Sequence, residues 1–217
     1  MPRGPRVVVP GVPHHITQRG NRGEDVFFSD DGRYRYLSLL AQYSHMHSLD
    51  ILAYCLMTNH VHLVAIPRTK DSIGNALRPL HTRYTQHVNW KEGLEGVLWR
   101  DRPYSCPLDD AHFWAAVRYV ERNPVRAGLV GRAELYPWSS AAAHCDLHPD
   151  PIISGAMPPH PDFHSWSAWL SDPDDERMIA AIRRGTRGGY AVGDDAFFAR
   201  LDCAPRPSPR GRPRKNK

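Results

Sequence analysis

Apolar positions between residues 30 and 47 fall at Tyr36, Leu39, Leu40, Tyr43 and Met46, a spacing that gathers them on one side of a helix over Asp30–His47. A second stripe, Ile73, Leu77, Leu80 and Tyr84, predicts a helix over Asp71–Val88, with Asp71 or Ser72 as its cap. Between them lie Leu49–Met57 and His60–Ile66, two β-rich runs joined by Thr58-Asn59, which reads as a hairpin. His14–Arg19 reads as a short strand ahead of a glycine-rich loop, Gly20-Asn-Arg-Gly23, and Gly96–Arg100 as a weak fourth strand. Asp109 or Asp110 then caps a helix running to about Asn123, with Phe113, Ala116, Val117 and Val120 as its buried stripe. This order of elements places the chain in the α+β class. It predicts a ferredoxin-like βαββαβ antiparallel sheet with helices on one face and the other face free for function.

Proline changes the picture beyond that core. Half of the 20 prolines lie from Pro149 onward, so three regions are expected: a compact domain over 1–145, a proline-rich extension over 146–204 and a tail over 205–217. Short helices are expected in the extension around Phe163–Leu170 and Asp174–Arg184. The tail carries Arg206, Arg210, Arg212, Arg214, Lys215 and Lys217 with no acidic residue, a composition that does not bury a core and predicts disorder. Lys and Arg number 28 against 23 Asp and Glu, a net charge of +5 dominated by arginine, which suits a phosphate-bearing partner. Cys55, Cys106, Cys145 and Cys203 are too scattered for a zinc knuckle and read as reduced thiols. No run approaches the roughly 18 apolar residues of a membrane span, so a soluble intracellular protein without a membrane partner is expected.

The chemistry concentrates at His60-Val-His62. Side chains alternate along a strand, so the two imidazoles share a face and form half of a divalent-metal site. Two ligands are too few for a closed structural zinc site and leave positions open for phosphate oxygens. A third alternating histidine, as a histidine-triad hydrolase needs, is replaced by Val64, and no Asp-His follows as a two-metal β-lactamase-like hydrolase requires. Tyr119 lies on the predicted third helix, one position off its apolar stripe, where its hydroxyl can reach the edge of that site. Asn123 follows at i+4 and has two open readings: a third, oxygen ligand, or the start of another helical turn before Pro124. A metal pair with a presented tyrosine is equipment for cutting a phosphodiester covalently.

His60-Val-His62 preceded by Met57-Thr-Asn59, with Tyr119-x-x-x-Asn-Pro-Val-Arg-Ala-Gly-Leu-Val130, resembles the single-tyrosine HUH transposases of the IS200 type. The resemblance is greater still to their branch associated with repetitive extragenic palindromes (REPs). His14-His-Ile-Thr-Gln-Arg-Gly-Asn21, Tyr136-Pro-Trp-Ser-Ser140 and Ile182-Arg-Arg-Gly-Thr-Arg187 also match, whereas residues 146–175 match nothing. The resemblance implies single-stranded and hairpin DNA as partners and Mg2+ or Mn2+ held by His60, His62 and Asn123. It implies Tyr119 as nucleophile, forming a 5′-phosphotyrosine before strand transfer. It leaves a monomer or a homodimer open, since some relatives exchange the tyrosine helix between subunits, and it implies a cytoplasmic, nucleoid-associated location. Arg19, Asn21 and Arg22 are candidates for gripping DNA phosphates, with a solvated loop as the other reading. Arg78, Arg83 and His81 stand as further surface candidates, and of His14 and His15 only one can face the site. Arg210, Arg212 and Arg214 lie in a segment resembling a minor-groove hook, beside the plainer reading of a basic tail. No carboxylate stands out as general base, and a catalytically silent hairpin-binding protein on the same scaffold is the alternative.

Overall fold

The computed structural model describes residues 7–154, 157 and 165–201. Four strands, β1 (His14–Arg19), β2 (Leu49–Met57), β3 (His60–Pro67) and β4 (Tyr104–Pro107), form one antiparallel sheet in the order β2-β3-β1-β4. With α1 (Asp30–Met46) between β1 and β2 and α2 (Ser72–Glu92) between β3 and β4, this is the expected βαββαβ core. The Ser29 hydroxyl caps α1 by accepting from the Gly32 amide. The side chain of Asp71 makes no capping bond to α2.

The fourth strand is not where the apolar pattern puts it. Within Gly96–Arg100 only Trp99 bridges to Gly20, and the strand that completes the sheet is Tyr104–Pro107, paired to His14–Thr17. The reason is aromatic packing. Trp99 leaves the sheet to nest among Tyr36, His81 and Tyr84, with ring centroids 4.6 to 6.1 Å away. His81, considered above as a DNA contact, is buried in this cluster against the Tyr36 hydroxyl.

Both faces of the sheet are covered. Gln18 on β1 borders a groove with Ile73, Leu77 and His81 of α2, whereas His15, Thr17 and Arg19, on the alternate face, turn toward α3 (Asp110–Glu121). Asp109, not Asp110, caps α3 by accepting from the His112 amide at 2.8 Å. The extension supplies the rest of this second layer. After α4 (Asn123–Arg126), α5 (Ala141–His144) and α6 (Trp166–Ser171), α7 (Glu176–Gly188) packs on β4, β1 and α3. A last helix that the sequence pattern did not predict, α8 (Asp195–Arg200), is capped by Asp194. The face expected to be open is therefore roofed by α3 and α7.

The segment Tyr136–Ser140 closes the outer edge of β2. Leu56 donates its amide to Trp138 O at 2.8 Å, Ser140 donates to Tyr54 O at 3.1 Å, and the Tyr136 hydroxyl donates to Leu56 O at 2.8 Å. Glu121, fully buried at the last turn of α3, ties that segment to the tyrosine helix. Its carboxylate faces Ser140 Oγ at 2.5 Å, His144 Nδ1 at 2.6 Å and Trp166 Nε1 at 2.7 Å. Three donors converge on one buried acceptor, so removing it costs each of them that bond. Glu121→Ala is expected to lower unfolding stability by about 3 kcal/mol in urea titration, and Glu121→Gln by less. A loss below about 1 kcal/mol for the alanine variant would show that the cluster does not anchor the helix.

Candidate active site

Antiparallel register sets the site. Thr17 stands opposite His62 and Arg19 opposite His60, so the odd residues of β1 and the two histidines of β3 share one face. They line a cavity of about 560 Å3 together with Tyr119 of α3 and Arg183 and Arg187 of α7.

Each histidine of the pair is oriented by a neighbour. Asn59 donates its amide nitrogen to Gly23 O at 3.0 Å, which turns its Oδ1 toward His60 Nδ1 at 2.6 Å. An amide oxygen only accepts, so His60 carries its proton on Nδ1 and keeps the Nε2 lone pair open. His62 Nδ1 is 2.9 Å from His15 Nε2, and His15 Nδ1 is 2.7 Å from Thr186 Oγ1. When His15 donates to Thr186, it accepts from His62, and the His62 Nε2 lone pair is open as well. Such outer partners fix tautomer and ring direction in imidazole metal sites. Burial, then the charge of Arg19, pushes His60 down to about 4, and burial, then the neighbouring imidazoles and arginines, holds His62 well below the ordinary value. Burial, then Arg183, pushes His15 down to about 3. All three rings are neutral at physiological pH, the form that binds metal.

Tyr119 is 6% exposed and sits edge-on to His62 and His15, with centroids at 5.3 and 5.9 Å. Arg183 Nε donates to its hydroxyl at 3.3 Å. The guanidinium of Arg126 lies 5.7 Å from the same ring but is bound to Asp174 and Glu176.

The structure therefore brings His60, His62, Tyr119 and Arg19 to one cavity. Asn123 is outside its lining; it opens α4 as the first residue, after Arg122, and its Nδ2 is buried without a hydrogen-bond partner. Asn21 and Arg22 form a 3-10 turn beyond the cavity, Arg22 with φ of 54°. Arg78 and Arg83 are exposed along a separate groove on α2. Arg210, Arg212 and Arg214, like Cys203, lie outside the described residues. Among the described residues no three His, Cys, Asp or Glu side chains gather as a metal site.

Sequence reasoning left open which of His14 and His15 faces the site, and it missed Arg183, Thr186, Arg187 and Asp101. For His15 the signal was available, because it alternates in phase with Thr17 and Arg19. Thr186 and Arg187 lay in the segment Ile182–Arg187, matched above without a role. Asp101 comes from an irregular loop and had no pattern to mark it.

A search among curated proteins finds no match. Among solved structures, the REP-associated tyrosine transposase bound to a REP hairpin shares the fold with a TM-score of 0.53 at 18% identity, over 76% of this chain and 96% of that one. A candidate transposase from Deinococcus radiodurans R1 aligns with a TM-score of 0.36 at 15% identity, over 59% of this chain and 93% of the other, too weakly to bear on the fold. The sequence model described as "Transposase IS200 like" matches residues 9–123, which include the histidine pair, Tyr119 and Asn123. That match covers more than half of the chain, which belongs to the IS200-like transposase family.

Proposed function

We propose that this protein cleaves and rejoins single-stranded DNA at palindromic hairpins through a covalent bond to Tyr119. One observation carries the reading: a tyrosine hydroxyl and the neutral His60–His62 pair meet in one arginine-lined cavity. The hairpin as target follows the structural relative, whose partner is a REP hairpin.

His60 and His62 would hold a divalent ion through Nε2, with Asn123 as the third ligand if the α3–α4 junction turned its side chain toward the cavity, whose lining it does not join here. Asn123 would ligate through its Oδ1, since the amide nitrogen is a donor and cannot coordinate a cation. Mn2+ accepts imidazole more readily than Mg2+, and either ion supplies Lewis-acid polarisation of the scissile phosphate. The chain's own groups do the rest. Arg19, Arg100 and Arg187 line the cavity and bind backbone phosphates, excluding misaligned strands. The Tyr119 oxygen attacks phosphorus in line, the bond to the 3′-oxygen breaks, and the upstream strand leaves as a 3′-hydroxyl. A second 3′-hydroxyl reverses the step and frees the tyrosine, so rejoining needs no external energy source. Asp101 is the one carboxylate among the described residues of the lining, and its Oδ2 accepts from the Tyr104 hydroxyl at 3.1 Å.

Incubation with single-stranded REP-like hairpins and Mn2+ should give a protein–DNA adduct on a denaturing gel. Tyr119→Phe should abolish the adduct while keeping thermal stability and hairpin affinity, because the ring packing on His62 and His15 is retained. Binding without any adduct would instead identify a silent hairpin binder. Calorimetric titration should show Mn2+ affinity lost in His60→Ala/His62→Ala, and unchanged affinity would refute the metal site. Deleting Pro205–Lys217 should weaken DNA binding and flatten its salt dependence, as each lost phosphate contact removes roughly 0.7 to 0.9 from the slope. A loss confined to A·T-rich flanks would mark a minor-groove hook, and no loss at low salt would make the tail irrelevant to binding.

A further inference from the structure

Ile182-Arg-Arg-Gly-Thr-Arg187 lies beyond the family match, yet four of its six residues make contacts that fix a helix over the nucleophile. Ile182 is fully buried. A Cβ on Gly185 would fall 2.1 Å from Val192 Cγ2, so α7 packs this closely only with glycine there. Thr186, 2% exposed, joins His15 Nδ1 at 2.7 Å and Cys106 Sγ at 3.0 Å. These contacts set the rotation of α7 and its position along its axis. Arg183, three residues before Thr186, shares its side of the helix and reaches Tyr119. Its guanidinium carbon is 5.0 Å from the tyrosine ring centre, and Nε is 3.3 Å from the hydroxyl. Unlike Arg126, it pairs with no carboxylate among the described residues, and it is exposed to the cavity where a substrate would enter.

We propose that Arg183 is a catalytic residue of strand cleavage, holding the Tyr119 oxygen through Nε and offering its remaining N–H groups to the scissile phosphate. This rests on the cleavage reading above. Guanidinium stays protonated, so Arg183 is not the base. When the tyrosine oxygen–phosphorus bond forms and the phosphorus–3′-oxygen bond breaks, the phenolic proton passes to solvent and the leaving 3′-oxygen gains one, with no net change. Arg183 faces the negative charge that builds on the attacking oxygen and the phosphate during that exchange. Its planar fork bridges the two sites, which the single ammonium of a lysine does less well. The extension is thereby a working part of the active site.

The test is single-turnover adduct formation with saturating hairpin strand and Mn2+. Arg183→Gln should slow it by about 10²-fold, Arg183→Lys should recover part of that loss, and Arg184→Gln, on an exposed residue outside the cavity lining, should match the parent. A glutamine variant within about threefold of the parent at saturation would overturn the proposal, even if DNA binding weakened. The Arg183 Nε–H resonance in NMR reads the contact without DNA. It should move in Tyr119→Phe, and an unmoved resonance would also overturn the proposal. A parent protein that forms no adduct on any hairpin strand would bring down the cleavage reading itself, with this proposal.

Discussion

The pairing of β1 with β3 is the constraint on which the site depends. Because Thr17 opposes His62 and Arg19 opposes His60, both imidazoles, His15 and two polar side chains of β1 fall on one face. A slip of one residue would turn the β1 set to the other side of the sheet, under α1 and α2. His15 reinforces the register from within, bonding across the strands to His62 and outward to Thr186. Buried, neutral and doubly bonded, it couples the sheet, His62 and the roof in one chain of hydrogen bonds.

The roof is held independently at its two ends. Glu121 anchors the C-terminal end of α3 to the edge segment Tyr136–Ser140, and Thr186 anchors α7 to β1 and β4. Tyr119 lies between these anchors, with one arginine bound to carboxylates beside it and another directed at its oxygen. The two side chains diverge on the same helix: Glu121 faces away from the cavity and Tyr119 faces into it.

Elements with strong periodicity were legible in the sequence. The stripes of α1, α2 and α3 and the hairpin of β2 and β3 are close to their predicted bounds, because burial on one face imposes that spacing. β4 was not legible: four residues ending in proline carry too little alternation, and the more apolar Trp99 stretch drew the assignment away. His60, His62 and Tyr119 could be named from motif and phase. Arg183 and Thr186 could not be placed, since nothing local to residues 182–187 indicates that α7 crosses back over a strand some 170 positions earlier in the chain. Long-range contacts of that kind appear only once the chain is folded.

The most direct measurement of the central claim is peptide mapping by mass spectrometry of the protein after reaction with a single-stranded hairpin and Mn2+. The account predicts one modified peptide, carrying a nucleotide 5′-phosphate on Tyr119. A modified peptide at any other residue, or cleaved DNA with free 5′ ends and no modified tyrosine, would contradict it.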